Sequence, residues 1–127
     1  MAKPLLLSYN LKPGAEAGLE VICRNLGIHV RKVTPGEYGT PIGALAGIPL
    51  ARKPIPATAP TETFDDEMLV ICHVLSDELD SLLKAMREAG VRIGLKAVLT
   101  PFNVAWNSMD LHTELSREHN EIQRRNP

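Results

Sequence analysis

Aromatic residues are scarce in this chain, 4% of 127, with one Trp, two Tyr and two Phe, and there are only two cysteines. Cys23 and Cys72 lie far apart with no CxxC partner, so neither a zinc ribbon nor a thioredoxin-type motif is available. An excess of one charge is missing too: 14 Lys and Arg face 15 Asp and Glu, for a formal net charge of −1. The basic pairs Arg31-Lys32, Arg52-Lys53 and Arg124-Arg125 are short and scattered, so no concentrated surface meets a phosphate backbone and no nucleic-acid partner is expected. Long apolar runs are absent as well. One Lys precedes Leu5-Leu6-Leu7 at the N-terminus, too little for a signal-peptide core and far short of a bilayer span. The expectation is a cytoplasmic protein with reduced thiols and no membrane partner.

What remains is ordinary globular composition, 44% hydrophobic and 23% charged, in a length that suits a single α+β domain over residues 1–127. Two segments, residues 5–33 and 68–100, each read strand, amphipathic helix, glycine, strand. In the first, Pro13 suits the opening turn of a helix and Gly27 its left-handed end. Between them Leu19, Ile22, Cys23 and Leu26 share one face. In the second, Ser76 or Asp77 is the expected cap, Gly90 the end, and Leu79, Leu82, Leu83 and Met86 the apolar face. The first strand of each half is uninterruptedly apolar, whereas Ile28–Val33 and Leu95–Thr100 alternate with polar residues and read as outer strands. Two such halves predict a ferredoxin-like split βαβ sheet, with a doubly wound parallel sheet as the competing arrangement.

Residues 34–67 form an insertion. Thr40, Pro41 and Gly47 predict one short helix there, and Pro54, Pro56 and Pro60 predict an extended, mobile connection behind it. Residues 103–127 supply a turn and a C-terminal helix over 109–124, capped by Asn107 or Ser108, with Leu111, Leu115 and Ile122 as its apolar stripe. Met68–Leu75 is apolar on both alternating sets of positions, so both faces of the sheet need cover. Either the C-terminal helix or a second subunit covers the second face, and the narrow stripe points to a homodimer or to a partly helix-covered open face.

Chemistry-bearing patterns are weak. GEYGTPIGALAG has neither a P-loop nor a dinucleotide fingerprint, and its glycines are read as turn and packing positions. His112 and His119 are two helical turns apart, so one metal cannot take both. Glu114 and Glu118 read as a solvated face, with Glu118 pairing Arg117 or Arg125. Cys72 and His73, adjacent in a strand, face opposite ways and form no nucleophile–base pair. Asp65-Asp66-Glu67 reads as a solubilising run ahead of an apolar strand. No metal and no cofactor is expected. The distinctive stretch is Thr100-Pro101-Phe102-Asn103-Val104-Ala105-Trp106. Asn103 suits a turn and Trp106 suits an anchor for the last helix; the functional alternative makes Thr100, Asn103 and Trp106, with His73, the lip of a small-ligand site.

The run LKAVLTPFNVAW (95–106), the helix ending SREH (116–119), SDELDSLLKAMREAGV (76–91) and PIGALAG (41–47) together resemble a family of small bacterial proteins known only as a domain of unknown function. The resemblance implies a small cytoplasmic bacterial protein and carries over no catalytic role. The reading of the residues is a non-enzymatic, self-associating module that binds a protein or a regulatory small molecule. The rival is a small enzyme or metabolite-binding protein with a pocket between residues 36–47 and 100–106, using His73 or His119 as acid or base.

Overall fold

The apolar run at the start of the chain forms β1 (Leu5–Tyr9), and Pro13 opens α1 (Pro13–Leu26). Gly27 ends that helix at φ 73°, where a side chain would be strained, and its N–H reaches the Cys23 carbonyl. The chain returns as β2 (His29–Lys32), parallel to β1. The second half repeats the course with β3 (Met68–Cys72), α3 (Ser76–Ala89), Gly90 at φ 73° and β4 (Leu95–Val98), parallel to β3. Both outer strands are shorter than their alternating patterns suggested. In this computed structural model the described residues are 3–48 and 63–125, with side chains to residue 121. The Pro-rich connection expected to be mobile, Arg52-Lys53 and the side chains of Ile122, Arg124 and Arg125 lie outside them.

The four strands run in the order β2-β1-β3-β4, and the two halves meet antiparallel at β1 and β3. The apolar strands are therefore central and the alternating strands outer, as their patterns require. The ferredoxin-like split βαβ is not what forms, because each unit keeps its own two strands adjacent and parallel. Both arrangements place the same strands at the centre and at the edges, so hydrophobic pattern alone does not separate them.

The halves are related by a local two-fold axis. Leu7 pairs with Val70 at the middle of the central register, and these two hold the same place in their halves. The same residue spacing relates Asn10 and His73, both at positive φ (56° and 59°), as well as Leu19 and Leu82, Cys23 and Met86, and Gly27 and Gly90. After the second half's extra segment Arg92–Gly94, the correspondence resumes: Thr34-Pro35 matches Thr100-Pro101, and Pro41 matches Asn107. Pro41 and Asn107 themselves meet in an antiparallel bridge. Each half ends in a helix, short α2 (Ile42–Leu45) in the first and long α4 (Ser108–Arg125) in the second.

Three layers result. On one face Leu6, Leu69 and Ile71 pack with Leu19, Ile22, Leu82, Met86 and Ile93 under α1 and α3. On the other, Leu7, Tyr9, Val70 and Cys72 pack with Tyr38, Ile42, Leu45, Phe64 and Leu111. All of β3 is buried within one chain. The far face, which either the last helix or a second subunit was expected to cover, is covered by α4 together with α2, Tyr38 and Phe64. A Cβ at Gly18 of α1 would lie 2.8 Å from Val91 Cγ2, so glycine there allows the two halves to approach closely.

Several local expectations shift. The cap of α3 is Leu75, whose N–H donates to Glu78 Oε1 at 3.2 Å, and Ser76 is already helical. The short α2 starts after Pro41 rather than at it. Asn107 caps α4, its Oδ1 accepting the Asp110 N–H at 2.8 Å. Arg117 pairs with Glu114 and with Glu121, not with Glu118.

Candidate functional site

The turn after β4 is organised by one side chain. Asn103 Oδ1 accepts the Thr100 N–H at 2.8 Å and Asn103 Nδ2 donates to the Val98 carbonyl at 3.1 Å. Thr100 Oγ1 accepts the N–H of Phe102 at 3.2 Å, and the Trp106 N–H reaches the Asn103 carbonyl at 3.0 Å. Asn103 is buried, and both ends of its amide are engaged by the chain.

The first half contains the same device. Thr34 and Pro35 open a 3-10 turn (Pro35–Glu37), and Glu37 Oε1 accepts both the N–H and the hydroxyl of Thr34 at 3.1 Å. Those bonds, the Thr34 N–H foremost, together with the Arg31 guanidinium 2.7 Å away, hold the Glu37 carboxyl below its ordinary range. Sequence reading missed this repeat because Glu and Asn differ as letters while offering the same acceptor three residues after the threonine. Where the halves differ is on the outside. Phe102, 87% exposed, stands where the first half has Gly36, and Trp106, 37% exposed, stands where it has Thr40.

The segments expected to flank a pocket are joined instead. Ile42 N–H donates to the Trp106 carbonyl at 2.8 Å, Gly43 N–H to Val104 at 2.9 Å, and Ser108 N–H to Tyr38 at 3.1 Å. Trp106 borders a shallow cleft of about 290 Å³ on its other side, with Asp110, Thr113 and Glu114 of α4. Of the four residues singled out, Thr100 and Asn103 bond to each other and Trp106 follows in the same turn. His73 lies apart, just past β3 rather than within it, in a left-handed conformation with Nε2 buried and without a hydrogen-bond partner among the described residues.

A second polar constellation was not anticipated. Phe64 stacks between Tyr38 and His112, with ring centroids 4.5 Å and 4.0 Å away. His112 Nε2 lies 2.8 Å from Asp66 Oδ2 and 3.5 Å from Ser116 Oγ. A nucleophile–base–acid relay needs the serine and the acid on opposite ring nitrogens, and here both face Nε2. The arrangement ties α4 to the segment before β3. The rest of the acidic run is also structural: Glu67 Oε2 accepts the Lys12 N–H at the start of α1 (3.0 Å), and Asn10 Nδ2 donates to the carbonyls of Phe64 and Asp66. The only signal available for these ties was the position of the run directly before an apolar strand.

Asp66, Glu67, Gly94, Leu95, Ser116, His119 and Asn120 line an open cleft of about 350 Å³. Among the described residues no group of three or more His, Cys, Asp or Glu is placed to hold a metal ion. Cys23 and Cys72 are buried, and burial pushes their thiols up to about 11 and about 12, far from thiolate chemistry at neutral pH. No helix among the described residues is long and apolar enough to cross a membrane. Neither the curated proteins nor the solved structures include one that matches the chain. Residues 67–122, running from the last residue before β3 into α4, match the family described as a domain of unknown function (DUF3783).

Proposed function

We propose that the chain is a single-domain, non-enzymatic binding module of the cytoplasm that self-associates through the aromatic turn after β4. The observation that carries the reading is the exposure of Phe102 in a turn whose counterpart in the first half is closed with Gly36. Anchoring the fold does not account for Phe102: the turn is held by Thr100 and Asn103, and a ring 87% exposed contributes almost nothing to the core. Burying one phenylalanine in a partner is worth about 1.5–3 kcal/mol. Val98 and Leu75, 42% and 72% exposed near the ends of β4 and β3, add apolar surface on the same half. In a symmetric dimer each copy presents the patch to its twin, so its contribution counts twice.

The residues that first suggested chemistry support the same reading, since Asn103, His112, Cys23 and Cys72 are each engaged in holding the fold. Native mass spectrometry and sedimentation of the untagged chain test it. A dimer that Phe102→Ser converts to monomer, with the urea midpoint unchanged, is the expected result. A wild-type chain that stays monomeric at tens of micromolar, or a dimer indifferent to Phe102→Ser, would overturn it.

A further inference from the structure

The first half passes from α1 to β2 through Gly27-Ile28 alone, whereas the second half inserts Arg92-Ile93-Gly94 between Val91 and β4. A cleft of about 550 Å³ opens beside this insertion, between the last turns of α3 and the edge strand β4. Its size falls within the range of small-molecule sites. The floor is apolar: Met86, Val91 and Ile93 are buried and Leu83 is partly so. The rim is cationic, formed by Arg87, Arg92 and Lys96, and among the described residues no carboxylate lines it.

The charges are available. Lys96 Nζ donates to the Ile93 carbonyl at 2.9 Å, which holds the ammonium over the inserted segment without neutralising it. Neither arginine has an ion-pair partner among the described residues. Arg87 sits in the last turn of α3, where it offsets the negative end of the helix, so Arg92 and Lys96 are the surplus. The corresponding places in the first half hold Glu20 for Leu83 and Val30 for Lys96. The second half has therefore exchanged an acid for apolar wall and an apolar residue for a cation, at the same place where its chain is lengthened.

We infer that this cleft binds a small organic anion, a carboxylate carried on an apolar body of about medium-chain length, with the body against Leu83 over the buried floor of Met86, Val91 and Ile93 and the carboxylate at Arg92 and Lys96. The site is separate from the aromatic turn, and either can fail without the other. Decanoate titrated into the full chain at low salt, followed by amide chemical shifts, is the test. Saturable shifts at Ile93, Gly94 and Lys96 are expected, with decanol, which lacks the charge, binding about tenfold more weakly. Arg92→Glu should weaken decanoate by about tenfold or more, and Leu83→Glu, which restores the first half's acid, should abolish binding. Urea midpoints confirm that each variant is folded, and the exposed Arg92 keeps the test valid if Leu83→Glu is not. Absence of saturable binding, shifts confined to another surface, equal affinity for decanol, or an unaffected Arg92→Glu variant would each overturn the assignment.

Discussion

Replacing Asn103 by alanine separates an anchoring turn from a ligand lip, and its cost follows from the geometry. The substitution removes the bonds to the Thr100 N–H and the Val98 carbonyl, each worth about 1 kcal/mol net, and leaves those two partly buried groups without that partner. A loss of about 2 kcal/mol is expected, rising toward about 3 if water does not reach the vacated groups. With an unfolding entropy of about 2.1 cal/mol/K per residue, 127 residues translate 2 kcal/mol into a Tm lower by about 8 °C. Asn103→Asp should cost at least as much, because it keeps the acceptor for Thr100 but turns the donor into a charged acceptor against the Val98 carbonyl. Glu37→Ala is the internal control. It breaks the equivalent bond in the first half, yet the bonds from Thr34 are exposed and the Glu37–Arg31 pair is only partly buried, so the loss should stay below about 1 kcal/mol. Urea denaturation read by Trp106 fluorescence and by circular dichroism measures all three. If Asn103→Ala lies within about 0.5 kcal/mol of the parent, a surface substitution's usual range, the amide is not holding the turn and the reasoning fails.

Gly18→Ala gains about 1 kcal/mol of helix propensity but forces a Cβ to 2.8 Å from Val91 Cγ2 in a packed interface; a net loss is expected, recovered when Val91→Ala is added, and equal stability of the single variant would refute the contact. His73→Asn places at the second left-handed position the residue its counterpart Asn10 already uses and removes a buried, unpartnered ring nitrogen. A gain of about 1 kcal/mol is expected in urea, and a loss would show that His73 makes a needed contact. Burial raises Cys23, Cys72 and Tyr9 to about 11, about 12 and about 12, so the folded chain holds these protons more tightly than the unfolded one. Their contribution is complete below the ordinary values of 9.0 for a thiol and 10.0 for a tyrosine and is lost as pH climbs through the folded ones. Urea midpoints should therefore fall steadily above pH 9, less steeply in Cys72→Ala, and a flat profile would contradict the burial.

The helices were legible because their signals are local. Pro13, Gly27 and Gly90 fix the ends of α1 and α3, and apolar residues at helical spacing fix the buried faces. The central strands were legible for a similar reason, since an apolar run on both faces has nowhere to go but the middle of a covered sheet. Strand order was not, because an outer strand beside its own partner and one beside the other unit carry the same alternating pattern. Phe64 shows a different limit. It lies among Thr, Glu and Asp in the sequence, yet it stacks with Tyr38 and His112 at the centre of the second core, and only the tertiary contacts from α4 reveal it. The turn at 100–106 was readable as a turn through Asn103, whereas Trp106, read as an anchor for the last helix, is 37% exposed. The pocket beside it was not testable in sequence, because its space is taken by backbone bonds from Ile42 and Gly43, and backbone donors leave no trace in residue identity.

The local two-fold axis also bears on the proposed self-association. Residues 67–122 taken alone contain β3 with one edge unpaired, and an unpaired apolar strand invites a partner. In this chain β1 fills that edge through five antiparallel pairs, Leu5–Tyr9 against Cys72–Met68, so the first half already occupies the position a second copy would take. The far face of β3 is closed by α4 and Phe64. The remaining edges, β2 and β4, are four residues each and carry Lys32 and Lys96, and such short, charged edges resist continuation of the sheet. Sheet extension and sheet stacking are thus both disfavoured by the fold itself. Two features break the symmetry between the halves, an aromatic turn in place of Gly36 and Thr40 and a cationic cleft in place of Glu20 and Val30. An apolar ring suits a symmetric contact because two copies of it attract, whereas a cleft with surplus cations repels its own copy. The turn is therefore the surface we propose for a second chain, and the cleft the surface we propose for an anion.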